Sequence, residues 1–130
     1  MKKITISCII AVLLLALVSC SSQKEAKSVA WSGEVKKFNI RAFQFGYEPD
    51  TIEVNLGDKV VINAHTSDVP HGLALPDFGV NMKLTGEDSV RAEFIADKAG
   101  EFEWYCSIPC GRGHGSMRGK LIVRDVENEN

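Results

Sequence analysis

From Val35 to Val123 the chain sets apolar residues at alternate positions, the period of strands that bury one face. Phe38, Ile40 and Ala42 alternate with polar residues, and so do Ile52, Val54 and Leu56. Val60, Ile62 and Ala64 follow, then Leu73 and Leu75, then Val80, Met82 and Leu84. Val90, Ala92, Phe94 and Ala96 form another set, Phe102, Trp104 and Cys106 the next, and Leu121 and Val123 close the series. Gly57-Asp58, Pro76-Asp77-Phe78-Gly79 and Thr85-Gly86-Glu87-Asp88 punctuate it with turn residues. No stretch of helical length keeps a period of about 3.6. The pattern predicts one all-β domain over residues 35–126, a sandwich or small barrel of seven or eight short strands with Greek-key connections. Met82 and Trp104 then belong to the core, and His65, out of phase with its neighbours, faces solvent. The acidic tail 127–130 frays.

Residues 1–34 break this pattern. Met1-Lys2-Lys3 is a positive start, and the apolar run from Ile4 to Val18 is interrupted only by Thr5, Ser7 and Cys8. A membrane-spanning helix needs about 20 apolar residues, so this shorter run reads as a secretory signal. Its end, Leu17-Val18-Ser19-Cys20, resembles the bacterial lipoprotein signal. That resemblance implies cleavage after residue 19, loss of Cys8 with the signal, and lipid on Cys20. The expected product is extracytoplasmic and held to a membrane by its lipid anchor alone. Polar, aperiodic residues 20–34 form a flexible tether. Across all 130 residues, 15 Lys and Arg face 17 Asp and Glu, a net charge of -2. No basic footprint for nucleic acid exists, and removing Lys2 and Lys3 makes the chain more acidic still.

The chemistry concentrates in Cys106-Ser107-Ile108-Pro109-Cys110-Gly111-Arg112-Gly113-His114-Gly115-Ser116-Met117, a Cys-x3-Cys-x3-His-x2-Met pattern between two strands. It offers two thiolates, an imidazole and a thioether. Soft sulfur with imidazole suits copper or zinc, whereas magnesium and calcium want oxygen. Glycines 111, 113 and 115 allow a tight backbone around an ion. A well-filled copper site needs a further histidine, and His71, just after Ser67-Asp68-Val69-Pro70, is the candidate.

With His71, the loop and the β reading, the chain resembles the CuA domain, a cupredoxin found in cytochrome c oxidase subunit II and in nitrous oxide reductase. Phe43-Gln44-Phe45-Gly46-Tyr47-Glu48-Pro49, Ser67-Asp68-Val69-Pro70-His71-Gly72 and the stretch from Cys106 to Gly119 carry the likeness, which covers residues 40–124. The resemblance implies a Greek-key cupredoxin fold holding two copper ions in a binuclear centre. Cys106 and Cys110 would bridge the ions, His71 and His114 would each cap one, and Met117 and the carbonyl of Ile108 would be weak ligands. Many subunit II proteins have a glutamate where this chain has Ile108, so roles of that side chain do not carry over. By the same resemblance the chain transfers single electrons from a c-type cytochrome or similar donor to a terminal oxidase or reductase, with no substrate chemistry of its own.

Other readings compete. Cys106 and Cys110 could form a disulfide in an oxidising compartment, leaving a structural binding domain without metal. Zinc could take both cysteines with His71 and His114. A mononuclear blue-copper site needs only one cysteine, and the second argues against it. A copper storage or delivery protein of the cell envelope is the alternative function. Asp68, three residues before His71, is the candidate to orient its imidazole. Arg112 and Arg118 flank the loop, serving either a docking partner or solubility.

Overall fold

The computed structural model describes Trp31 and residues 33–126; the expected signal, Cys20, most of the tether and the tail lie outside the described residues. Among the described residues, nine strands form two sheets. They are β1 (Val35–Phe43), β2 (Gly46–Glu48), β3 (Thr51–Asn55), β4 (Lys59–Thr66), β5 (His71–Leu75), β6 (Val80–Leu84), β7 (Val90–Ile95), β8 (Gly100–Tyr105) and β9 (Arg118–Arg124). One sheet runs β2-β1-β4-β7 and the other β3-β9-β8-β5-β6. Most neighbours are antiparallel, but β1 pairs with β4, and β3 with β9, in parallel. Two single 3-10 turns, Pro76–Phe78 and His114–Ser116, are the only helical pieces among the described residues. None of these is long or apolar enough to cross a membrane.

The alternation sorts residues between solvent and the space between the sheets. Ile40, Ala42, Val60, Ile62 and Ala64 from one sheet meet Ile52, Val54, Leu73, Leu75, Trp104, Leu121 and Val123 from the other. Met82 is buried with them, and His65 is half-buried rather than fully solvated. Phe78 stacks against Phe94 and Phe102, with ring centres 4.7 and 4.9 Å apart.

Three details depart from the sequence pattern. The ninth strand, β2, has only three residues, too few to show a period, and exists because it folds back on the end of β1. β5 is buried along its whole length, so it shows no alternation; it lies between β8 and β6. Cys106 continues the core phase of β8 but lies just past its end, where the chain leaves the ladder for the loop. His71 is the first residue of β5, so it and Cys106 sit where strands give way to loops.

Candidate metal centre

Three segments converge at one end of the sandwich. The first is the turn from β4 to β5, whose buried Thr66 hydroxyl donates to the Val69 carbonyl at 2.6 Å and accepts the Asp68 N–H at 3.3 Å. This brings Asp68 under the His71 ring, with Asp68 Oδ1 2.8 Å from His71 Nε2. His71 itself is fully buried. An N–H on Nε2 donated to the carboxylate leaves Nδ1 with a free lone pair, and Nδ1 lies 3.8 Å from Cys106 Sγ.

The second segment is the loop between β8 and β9. It closes on itself: the Cys106 N–H donates to the Met117 carbonyl at 3.2 Å, and the His114 N–H to the Gly111 carbonyl at 3.1 Å. Cys110 Sγ lies 3.8 Å from Cys106 Sγ, 3.8 Å from His114 Nδ1 and 3.8 Å from Met117 Sδ. The Cys106 thiol faces the Ile108 carbonyl at 3.1 Å. Met117 is fully buried, Cys106 and Cys110 are buried, and His114 is half-buried. All six candidate ligands in the described part of the sequence therefore meet in one place; Cys20 lies outside the described residues.

The two cysteines are free thiols. A disulfide needs its sulfurs about 2.05 Å apart, and these stand nearly twice as far. By contrast, ligands about 2.3 Å from one ion at a tetrahedral angle stand about 3.8 Å apart. The ligand atoms of His71, Cys106 and Cys110 all fall within 4.8 Å of one another. Two soft sulfurs with imidazole nitrogens beside them fit copper or zinc and fit a hard ion poorly. Burial, then the neighbouring Cys106 thiol, pushes the Cys110 thiol up to about 11, so it holds its proton at neutral pH and must release it to a metal.

Sequence reasoning picked out Asp68, which does contact the His71 ring, but missed the other residues that brace this donor set. Tyr47, buried on β2, donates its hydroxyl to the Gly72 carbonyl at 2.6 Å and packs edge-on against Trp104, with ring centres 6.1 Å apart. The Gly72 N–H points at Cys106 Sγ from 3.4 Å. A side chain at Gly72 would collide with Ser107, whose backbone nitrogen would stand 2.7 Å from the new carbon. Gln44, in the third segment just after β1, donates its N–H to Asp68 Oδ2 at 2.7 Å. None of these carries a spacing signal, although Gln44, Tyr47 and Gly72 all lie in the two segments, 43–49 and 67–72, that carry the resemblance.

A cupredoxin-like domain model matches residues 8–123. Cytochrome c oxidase subunit 2 of Thermus thermophilus is 30% identical over 86 residues, which cover 66% of this chain. The same stretch covers 64% of one Thermus thermophilus subunit 2 chain and 51% of another, so this chain spans about half to two thirds of those relatives. Nitrous-oxide reductase of Ralstonia nicotianae is 33% identical over 98 residues, 74% of this chain but only 14% of the reductase. Among solved structures, the periplasmic domain of subunit II of cytochrome oxidase of Bradyrhizobium japonicum superposes with a TM-score of 0.64 at 20% identity. That likeness covers 70% of this chain and 85% of the other. A chain of a heme-copper terminal oxidase dimer gives 0.63 at 20% identity, over 95% and 97%. With two facing sheets, a buried sulfur and imidazole cluster where strands meet loops, and a family match across nearly the whole described domain, this chain belongs to the cupredoxin family.

Proposed function

We propose that residues 35–126 form an electron-transfer domain built around a binuclear CuA copper centre. One observation carries the reading: the two cysteine sulfurs face each other unbonded at 3.8 Å, and each has its own histidine Nδ1 at 3.8 Å. Such a set is doubled about the sulfur pair, which suits bridging. Cys106 and Cys110 would hold both ions, His71 and His114 would hold one each, and Met117 Sδ and the Ile108 carbonyl would be the weak ligands. When bound, the copper pair supplies a one-electron couple spread over both ions.

The protein's part is to keep that donor set still and dry. Asp68 fixes the His71 ring, and Tyr47 fixes Gly72, whose N–H supports the Cys106 sulfur. The negative charge of two thiolates offsets the charge of the ions, so burial is tolerable. Within this donor set every ligand position is spoken for, which favours electron transfer over substrate chemistry. Half-buried His114 brings one edge of the site close to solvent, where a redox partner could approach. The subunit 2 and reductase relatives support a c-type cytochrome or similar small donor and a terminal oxidase or reductase acceptor. Residues 1–19 as signal, lipid on Cys20 and a tether over 20–34 would place the domain outside the cytoplasm, held to a membrane by lipid alone.

Copper stoichiometry with electron paramagnetic resonance on the loaded, oxidised domain tests this. Two coppers per chain and a seven-line hyperfine pattern are expected, from one unpaired electron shared by two nuclei. Cys110→Ser is expected to abolish that pattern while far-ultraviolet circular dichroism stays that of the folded sandwich. One copper and four lines, tight zinc without copper, or a seven-line signal surviving in Cys110→Ser would each overturn it. Ready transfer of copper to an apo acceptor would instead favour storage or delivery.

A further inference from the structure

We propose that Gln44 is a positioning residue that locks the two halves of the metal centre together, an inference that rests on the cysteine cluster being a metal site. One half, His71, comes with the turn before β5. The other, Cys110 with His114, belongs to the loop after β8. Gln44 belongs to neither, yet it bonds to both. Its side-chain Nε2 donates to the Cys110 carbonyl at 2.6 Å, and its main-chain N–H donates to Asp68 Oδ2 at 2.7 Å. The other oxygen of that carboxylate lies 2.8 Å from His71 Nε2. A continuous path of three short bonds thus runs from the backbone of one ligand to the ring of another.

The loop has need of such a tie. The partners of the Cys110 sulfur, Cys106, His114 and Met117, all belong to the same loop, so the bond from Gln44 is a direct tie between Cys110 and a segment outside it. Immediately after Cys110 the backbone passes through Gly111 in a left-handed conformation, φ +132°, open to glycine and little else. The same glycine makes room for the clamp: a carbon added there would stand 3.1 Å from Gln44 Nε2 and 3.0 Å from the Phe45 ring. Gln44 is itself exposed, so its side chain gains little from burial and is placed here by its hydrogen bonds. A hydrogen bond between a side chain and a ligand's own carbonyl restrains position without touching the metal, which is how an outer residue keeps donor atoms in register.

The test uses two variants. Gln44→Leu removes the polar amide, and Gln44→Glu keeps the length but replaces the donor with a carboxylate. In the reduced, metal-free chain, alkylation by iodoacetamide is followed separately at Cys110 and Cys106 by mass spectrometry. Both variants should raise the Cys110 rate relative to Cys106 by about fivefold, the loosening that one lost hydrogen bond allows. The urea midpoint should fall only by the loss of that one hydrogen bond, with both variants still folded. The copper-loaded Gln44→Leu protein should show a changed hyperfine pattern and a shifted visible absorption. An unchanged alkylation ratio overturns the clamp whether or not copper binds. A changed ratio with an unaltered spectrum reduces Gln44 to loop anchoring and overturns the positioning role. A parent chain that takes up no copper defeats the metal reading by itself, and the alkylation arm still decides the clamp.

Discussion

Asp68 is a charged residue that reaches water and a buried ring at once. Burial alone would push its carboxyl up, but the Gln44 N–H, the His71 ring and the Val69 N–H outweigh that and hold it below the ordinary carboxylate range. At neutral pH it is therefore an anion, able to accept from His71 Nε2 and so to keep the Nδ1 lone pair aimed towards Cys106. The fully buried His71 has no solvent to turn to if this partner is lost. Asp68→Ala should weaken copper affinity about 10- to 100-fold, the usual effect of removing a ligand's orienting partner. Asp68→Asn, which keeps an acceptor oxygen but not the charge, should fall between. Competition against a chelator of known affinity measures both. Affinity within about twofold of the parent in Asp68→Ala would mean that packing, not the carboxylate, orients the ring.

Among the elements, the β8–β9 pair carries the loop that holds both cysteines, so its closeness sets how well the loop is seated. Trp104 on β8 lies directly across from Gly119 on β9, and the indole fills the space that a side chain at 119 would need. A carbon added to Gly119 would stand 2.2 Å from the indole Cε2, far inside contact distance. Gly119→Ala should therefore destabilise the domain by about 1–3 kcal/mol, the range for overpacking a filled core. Urea unfolding of the metal-free chain checks it, and a loss under about 0.5 kcal/mol, the size of ordinary surface changes, would mean the strands part without strain. Gly119 also shows what the sequence could reveal. Its position two residues beyond Met117 is readable, but its purpose depends on which strand faces which. Seven strand segments were legible because one face of each is buried and the period follows from that, and β5, buried on both faces, was found from its apolar Leu73 and Leu75. β2 was not, being three residues long, and neither were the parallel pairings of β1 with β4 and β3 with β9, which join distant segments. The candidate ligands were legible as candidates because metal chemistry restricts residue types and spacing. Gln44 and Tyr47 were not, since a single polar residue acting across more than twenty positions leaves no local pattern.

For the molecule as a whole, acids shifted by their surroundings tie stability to pH, and copper should reverse the tie. In the metal-free chain burial raises the Cys110 thiol to about 11, whereas an unfolded cysteine titrates near 8.5. Between those values the unfolded chain has lost a proton that the folded chain keeps, so folding becomes less favourable as pH rises. The contribution is intact below the unfolded value and is lost as pH climbs through the folded one. Its slope is at most about 1.4 kcal/mol per pH unit for one proton. Tyr47 acts in the same direction at higher pH, because burial and then the charge of nearby cysteine thiolates push its phenol well above the ordinary range. On the acid side Asp68 works oppositely: its lowered carboxyl favours the fold above the ordinary carboxylate range and stops doing so as pH falls. The metal-free protein should thus lose stability steadily from about pH 8.5 upward. Copper changes the account, because the proposed ligands Cys106 and Cys110 are then held as thiolates in the folded state. The alkaline loss due to Cys110 should vanish on loading, and sensitivity should move to acid, where protons compete with the metal for sulfur and imidazole. Urea midpoints of metal-free and copper-loaded protein, compared at steps from pH 5 to 10.5, measure this. Parallel curves for the two forms would mean that Cys110 keeps its proton when copper is bound, and the bridging role assigned to it would fall.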